Sequence, residues 1–191
     1  GNGLPTLMGS IELISTCEQL EAIHYDMWTN YILTGDIDCS DSANWHDGRG
    51  FTTLGAPGGF TYHGSFSGNG HTISGFTQQN ASTVGLFVGL SDGVVRELTI
   101  EGTINGTGSV QTIAGALSQG ALFDVHSRAI VSSSSDSSGA TGLIGGLGSG
   151  MDDDKNQNKI ARSSFTGRVT SDANSSGLVG LSYMATISDS Y

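Results

Sequence analysis

Short apolar blocks recur at regular intervals along the second half of the chain. Four of them, VRELTIEGTI, LFDVHSRAIV, IARSSFTGRV and ISDSY, begin at Val95, Leu122, Ile160 and Ile187, at offsets of 27, 38 and 27 residues. A Gly/Leu-rich segment such as VGLFVGL, residues 84–90, precedes each block. A Gly/Leu segment and the apolar block after it form one unit, and both parts recur along the chain. This indicates an internal repeat, which is the pattern of a stacked architecture.

Each repeat unit has the hydrophobic spacing of short strands. Leu98, Ile100 and Ile104 are separated by even numbers of residues, which is the strand period, and Gly102 interrupts the run where a bend is needed. A unit of this size cannot bury its apolar face alone, whereas stacked units can. The pattern therefore predicts an all-β fold, a right-handed parallel β-helix (solenoid) with coils of about 27 residues. A propeller, whose blades need about 40 residues, and a sandwich fit the spacing less well.

The N-terminal segment predicts a cap on this solenoid. Four apolar residues fall at helix-like intervals: Leu13, Leu20, Ile23 and Met27. Ser15 or Thr16 is a suitable N-cap. We expect a single domain over residues 1–191, with a helical cap in 1–30, the first coils in 31–83, and repeats in 84–191 that stop partway through a unit. We also expect Trp28 and Trp45 to pack within the cap rather than to bind sugar.

Composition and charge narrow the classes of partner. The 191 residues include 30 Gly but only 2 Pro, and 7 Lys and Arg oppose 18 Asp and Glu, for a net charge of -11. Such a chain lacks the basic surface that nucleic acids and anionic membranes require. No apolar run approaches the 18 residues or more of a transmembrane helix, so we expect no membrane insertion. An acidic surface rich in Ser, Thr and Asn suits an extracellular protein.

Several segments resemble the GLUG repeat region of bacterial cell-surface adhesins. The Gly-Leu segments VGLFVGL, TGLIGGL (141–147) and SGLVGLS (176–182) are similar to the GLUG motif, and FTYHGSFSGNGHTISGF (60–76) is similar to the stretch that precedes such repeats. The segment TIAGALS (112–118) departs from the motif. The resemblance implies a β-helical extracellular module located at the cell surface, and it does not imply one particular ligand.

Additional residues between the second and third blocks supply the candidate metal site. In GSGMDDDKNQNK, residues 148–159, the side chains of Asp152, Asp154, Asn156 and Asn158 alternate, so that their oxygens could converge on Ca²⁺. The central Gly and terminal Glu of an EF-hand loop are absent. A solvated polar loop is the alternative, and in either case the loop is a candidate contact for a cell-surface glycan or protein ligand.

The remaining candidate residues favour structural roles. Cys17 and Cys39 form a disulfide or stay as two buried thiols, and an extracellular location favours the disulfide. Asp36 and Asp38 face one side of a strand, and we interpret them as a solvent-facing pair beside a turn rather than a cation site. The five His residues form neither His-x-x-x-His nor His-Glu-x-x-His, so a zinc protease site is unsupported.

Three functions are compatible with this fold. The first is a non-catalytic adhesin or surface-filament module, with self-assembly through coil ends as a further hypothesis. The second is a carbohydrate-active β-helix enzyme of the polysaccharide lyase or hydrolase type, or its binding module, which would need clustered acidic and basic residues. The third is an ice-binding solenoid, but Thr99 aligns with His126 and Ser164 rather than with other Thr residues. The sequence favours the first.

Overall fold

The computed structural model describes residues 10–56, 58–136, 138–148, 158–182 and 185–191, and within them the chain is built mainly of strands. The helical segments are α1 (Cys17–Ala22) and two 3₁₀ helices, Ile23–Tyr25 and Ser40–Asn44. The strands are β1 (Ile11–Ile14), β2 (Asn30–Leu33), β3 (Ile37–Asp38), β4 (Ser65–Ser67), β5 (Thr72–Val84), β6 (Phe87–Ser91), β7 (Val94–Val110), β8 (Ala114–Ser118), β9 (Ala121–Ser127), β10 (Ile130–Ser133), β11 (Ala140–Thr141), β12 (Ile144–Leu147), β13 (Asn158–Ala161), β14 (Ser164–Phe165), β15 (Arg168–Ser171), β16 (Ser175–Ser176), β17 (Val179–Ser182) and β18 (Ala185–Ser188). The all-β prediction is confirmed.

The strands pair in parallel and at the offsets that the sequence predicts. Strand β7 pairs with β9 in the register Val95↔Leu122, β9 pairs with β13 as Leu122↔Ile160, and β13 pairs with β18 as Ile160↔Ile187. The same β7–β9 ladder places Thr99 opposite His126. The repeated apolar positions therefore mark residues that lie one above another in adjacent strands.

The paired strands belong to two parallel sheets. The larger sheet follows the order β1-β2-β4-β7-β9-β13-β18, with β10 between β7 and β15 as a branch, and the smaller sheet follows the order β17-β12-β8-β6. The Gly/Leu segments supply the smaller sheet, in which Phe87 pairs with Ala114 and Ala114 with Ile144. Among the described residues, no helix is long and apolar enough to cross a membrane.

The apolar residues of both sheets meet in one core. Val95, Leu98, Ile100 and Ile104 of β7 are all buried, whereas Thr99 between them is only partly so. The even spacing of Leu98, Ile100 and Ile104 places these three side chains on the inner face of the strand. Val95 lies three residues before Leu98, and Glu97 between them has a positive φ of 53° that interrupts the alternation. Leu, Val and Ile thus fill the interior, and repetition along the chain supplies the apolar surface against which each unit packs.

The N-terminal segment agrees only in part with the predicted cap. Helix α1 begins after Thr16, whose Oγ1 accepts a hydrogen bond from the Gln19 amide at 3.3 Å, as the capping prediction requires. Leu20, Ile23 and Met27 are buried as predicted. The inclusion of Leu13 in the helix was wrong. Leu13 lies in β1, paired with Ile32 of β2, and its side chain is 62% exposed because Ile14 is the residue of β1 that faces the core.

Candidate functional site

The predicted calcium loop lies largely outside the described residues. Asp152, Asp154 and Asn156 belong to the part of the chain that the structure does not describe. Asn158, at the start of β13, is fully buried, and its Nδ2 donates to the Gly148 carbonyl at 2.6 Å while its Oδ1 accepts from the Gly120 amide at 3.3 Å. Asn158 therefore braces the base of the loop against the preceding coil. Calcium binding stays a prediction, and within the described residues no three His, Cys, Asp or Glu side chains are grouped to hold a metal ion.

The two cysteines have the predicted structural role. Cys17 at the start of α1 and Cys39 after β3 form a disulfide with Cα atoms 5.3 Å apart, and both are buried. The bond joins the helical segment to the first strands of the larger sheet. The two cysteines are separated by 22 residues in the sequence, so they do not form the Cys-x-x-Cys motif of thiol-redox sites.

The acidic pair near this disulfide also has a structural role. Asp36 and Asp38 are exposed, and their Oδ1 atoms accept hydrogen bonds from the backbone amides of Thr72 and Ser40, each at 2.9 Å. These backbone hydrogen bonds are the main reason that the pKa of each carboxyl lies below its usual value. Asp38 thus stabilises the turn that follows β3, whereas Asp36 holds the distant start of β5. Both side chains face solvent, as the sequence predicts.

The two tryptophans occupy different environments. Trp45 is half-buried and its ring packs against Phe51, with centroids 6.4 Å apart, so the prediction that it packs in the cap region is confirmed. The same prediction for Trp28 was wrong, because this side chain is 70% exposed. Its ring lies outside the core, against an imidazole of the next coil, and it marks a surface that composition and spacing did not reveal.

Trp28 lies in a surface groove of about 430 Å³ that we call the aromatic groove. The groove is lined by residues 24–28, by residues 59–61 and by His63. Tyr25 and Phe60, on its two sides, are 89% and 64% exposed. Thr61 and His63 add polar atoms, and Thr61 Oγ1 lies 3.1 Å from His63 Nε2. The groove thus combines open aromatic rings with hydrogen-bonding groups.

The ring of Trp28 is held by a stack with the ring of His63. The Trp28 and His63 ring centroids are 3.9 Å apart and their planes differ by 2°. The 35 residues between them equal the offset between Tyr31 and Phe66, which pair in the β2–β4 ladder. His63 is also fixed by its backbone amide, which donates to the Met27 carbonyl at 2.9 Å. The strand register therefore brings the two rings together.

Asp26 fixes the loop that carries Trp28. Its Oδ1 accepts from the backbone amides of Trp28 at 3.0 Å and Thr29 at 3.2 Å, and its Oδ2 accepts from Thr29 Oγ1 at 2.8 Å. The hydrogen bond from the Trp28 amide is the largest cause of a pKa below the usual value for Asp26, and the Thr29 hydroxyl adds to it. The carboxylate is thus ionised at neutral pH, and both of its oxygens accept hydrogen bonds from the loop.

Two tyrosines support the same loop from the core side. Tyr31 Oη donates to the Asp26 carbonyl at 3.0 Å, and Tyr62 Oη donates to the Thr29 carbonyl at 2.9 Å. Burial raises the pKa of Tyr31 to about 12 and raises that of Tyr62 further. Both phenols therefore stay protonated and keep donating at any physiological pH.

A second depression adjoins the aromatic groove. It shares His24 and Tyr25 with the groove and extends along Glu18, Glu21, His46 and Thr52. Glu21 Oε1 accepts hydrogen bonds from the Thr52 amide at 2.7 Å and contacts His46 Nε2 at 2.9 Å. The exposed ring of Tyr25 therefore lies between two concave surfaces, and together they form one elongated face.

The groove was missed because its two halves lie in the irregular first coils. The offset of 35 residues between Trp28 and His63 differs from the 27 of the later repeats. One signal was available: the segments WTNY (28–31) and HGSF (63–66) align on their aromatic final residues and place the rings of Trp28 and His63 at one position.

The chain shows two similarities to known proteins, and no protein-family model matches it. It is 38% identical to halomucin from Haloquadratum walsbyi over an alignment of 100 residues, which covers 46% of this chain and spans only 1% of the length of halomucin. Its structure is similar to the crystal structure of a candidate immunoglobulin A1 protease from Bacteroides ovatus, with a TM-score of 0.59 at 17% identity. That match covers 100% of this chain and 76% of the other, and it shows a likeness of fold alone.

Proposed function

We propose that this chain is a non-catalytic β-helix module of an extracellular surface protein, in which stacked coils form a rigid support that presents loops to a ligand. The parallel register is the observation that carries the proposal. Strands β7, β9, β13 and β18 pair at the offsets of the sequence repeat, which is the pairing expected when each unit forms one coil of a solenoid. We take the coils to be right-handed, as parallel crossovers are.

Three further properties support an extracellular location. The Cys17–Cys39 disulfide is typical of oxidising compartments. The net charge of -11 keeps such a chain soluble and disfavours polyanionic partners. The similarity to halomucin, a protein named as a mucin, is consistent with a cell-surface environment. The GLUG-type interpretation of the Gly/Leu segments belongs to the same proposal.

Surface labelling and activity assays test the proposal. Antibodies raised against the module should label intact, unpermeabilised cells of the source organism, and the label should disappear after brief external proteolysis. The purified chain should leave immunoglobulin A1 and polysaccharides uncleaved. Labelling only after permeabilisation would refute the surface location, and cleavage that follows the purified chain through two chromatographic steps would refute the non-catalytic role.

Calcium binding by the 148–159 loop is a separate part of the proposal. Alternating oxygen ligands suit Ca²⁺, and a bound ion would stabilise the folded chain by mass action. We expect calcium to raise the melting temperature of the wild-type chain but not that of an Asp152→Asn/Asp154→Asn variant. Equal melting in calcium and in chelator would refute calcium binding and leave a polar loop. Self-assembly through coil ends is tested by sedimentation, where only monomer at high concentration would refute it.

A further inference from the structure

We propose that the aromatic groove binds a neutral carbohydrate chain, with the open face of Trp28 as the platform on which a sugar ring stacks. This inference deepens the proposed function, because it assigns a ligand class to the surface module. It begins with exposure: Tyr25, Trp28 and Phe60 are 89%, 70% and 64% exposed and line one groove. Large aromatic side chains are normally mostly buried, and an exposed cluster of them marks an interaction site.

The groove is ordered before a ligand arrives. One face of Trp28 is covered by His63 at 3.9 Å, and the backbone of Trp28 is held by the Asp26 carboxylate at 3.0 Å. The ring of Phe60 lies against Gly58, where an added Cβ atom would fall 2.2 Å from the ring. Trp28 therefore loses little conformational freedom on binding, which favours affinity for a weakly interacting ligand.

The chemistry of the groove fits a sugar. The C–H face of a pyranose ring is apolar and flat enough to cover an indole, while its hydroxyl groups require donors and acceptors at the edge. Thr61 Oγ1, which forms a hydrogen bond with His63 Nε2 at 3.1 Å and keeps capacity for another, supplies such a group beside the Trp28 platform, and the phenol of Tyr25 supplies a second. Open rings and nearby polar atoms of this kind are what distinguish a saccharide site from a purely apolar groove.

Charge separates a neutral sugar from two other ligands that bind aromatic sites. Quaternary ammonium ions are recognised by aromatic cages that surround the cation, whereas Tyr25, Trp28 and Phe60 are largely exposed in an open groove and Asp26 directs both carboxylate oxygens to its own loop. An anionic glycan needs cations, yet none of the described residues that line the groove is Lys or Arg, and the chain carries a net charge of -11. A neutral, hydroxyl-rich ligand is what remains.

The adjoining depression indicates an oligosaccharide rather than a single sugar. It meets the groove at His24 and Tyr25 and continues past Glu18 and Thr52. A chain stacked on Trp28 would pass over the exposed ring of Tyr25 and place further sugar units beside the carboxylates of Glu18 and Glu21. These carboxylates accept hydrogen bonds from hydroxyl groups, so binding should strengthen with chain length.

Titration of defined hexasaccharides tests this inference. Maltohexaose, cellohexaose, chitohexaose and mannohexaose are added separately to the full chain, and binding is followed by calorimetry and by tryptophan emission. We expect at least one to bind, with a shift of emission that is lost in Trp28→Phe, since the chain has only two tryptophans. We expect Trp28→Ala to weaken binding at least tenfold and the corresponding disaccharide to bind at least tenfold more weakly than the hexasaccharide.

A matched control is Tyr191→Ala, which removes an aromatic ring that is 77% exposed but lies outside the groove, and this variant should bind as the wild type does. Because Trp28 is exposed, Trp28→Ala should keep the circular dichroism spectrum of the wild type. Absence of binding by all four neutral probes, equal binding by Trp28→Ala, or tighter binding of hexagalacturonate or phosphocholine would overturn the inference. None of these outcomes affects surface labelling or the absence of catalysis, so the two proposals fail separately.

Discussion

Gly102 offers the sharpest test of how closely strands β5 and β7 are packed. In the β5–β7 ladder, Gly102 is the partner of Phe76. A Cβ atom at residue 102 would lie 1.9 Å from the carbonyl oxygen of Phe76 and 2.7 Å from its carbonyl carbon. These are backbone atoms, which cannot turn aside as the end of a side chain can, so Gly102→Ala must separate the two strands locally.

The magnitude follows from that separation. The strands must move apart by about 1 Å or more, which weakens the adjacent backbone hydrogen bonds, each contributing about 1 kcal/mol, and disturbs a close-packed core. We expect Gly102→Ala to lower the free energy of unfolding by about 2–4 kcal/mol. For a chain of this length, that corresponds to a fall in melting temperature of roughly 5–15 °C.

Urea denaturation followed by circular dichroism measures this effect. Gly35→Ala is the matched control, because a Cβ atom there meets nothing within 4 Å and the residue is not among those with positive φ. The control should change the free energy of unfolding by less than about 0.5 kcal/mol. If the two variants unfold at the same urea concentration, the close approach of β5 and β7 at this point is refuted.

Three further predictions concern the disulfide, a strained corner and the groove loop. A Cys17→Ala/Cys39→Ala variant should have a free energy of unfolding about 3 kcal/mol lower than that of the wild type, since the bond closes a loop of 22 residues. A reductant should destabilise the wild type but not the variant. Equal urea midpoints for the wild type with and without reductant would contradict this. Gln119 is exposed with φ of +58°, so Gln119→Gly should raise the free energy of unfolding by about 0.5–1 kcal/mol in the same assay, and a decrease would disprove strain at this corner. The native pKa of Asp26 lies below its unfolded value, so the contribution of Asp26 to the free energy of unfolding is fully present above about pH 4 and is lost as pH falls through the native pKa. The melting temperature should therefore fall more steeply between pH 6 and pH 2 for the wild type than for Asp26→Asn. Parallel curves of melting temperature against pH would argue against this role.

The strained corners show how the repeat governs backbone geometry as well as packing. Asp92 and Gln119 both have positive φ, and they lie 27 residues apart at the ends of β6 and β8. Asp and Asn tolerate this conformation better than Gln does. The chain thus repeats a turn whose local sequence differs, because the ladders on either side impose the same direction on both corners.

By itself, the sequence determined the strands and their register. Val95, Leu122, Ile160 and Ile187 pair as their spacing predicts, because buried positions in neighbouring parallel strands must be apolar and therefore recur with the length of the repeat unit. Local sequence also narrowed the N-cap to Ser15 or Thr16, because a capping hydroxyl accepts from an amide two or three residues later, and the structure shows that Thr16 is the cap.

The tertiary structure alone decided where the first coils place their side chains. Leu13 fits a helical spacing, but pairing with β2 makes it a strand residue and turns its side chain outward. Trp28 fits an apolar cap, but an offset of 35 residues places its ring on His63, outside the core. Both outcomes depend on which distant segment lies beside the residue. Where the spacing between paired strands is irregular, a local pattern does not identify that partner, and only the alignment of two distant segments such as WTNY and HGSF indicates it.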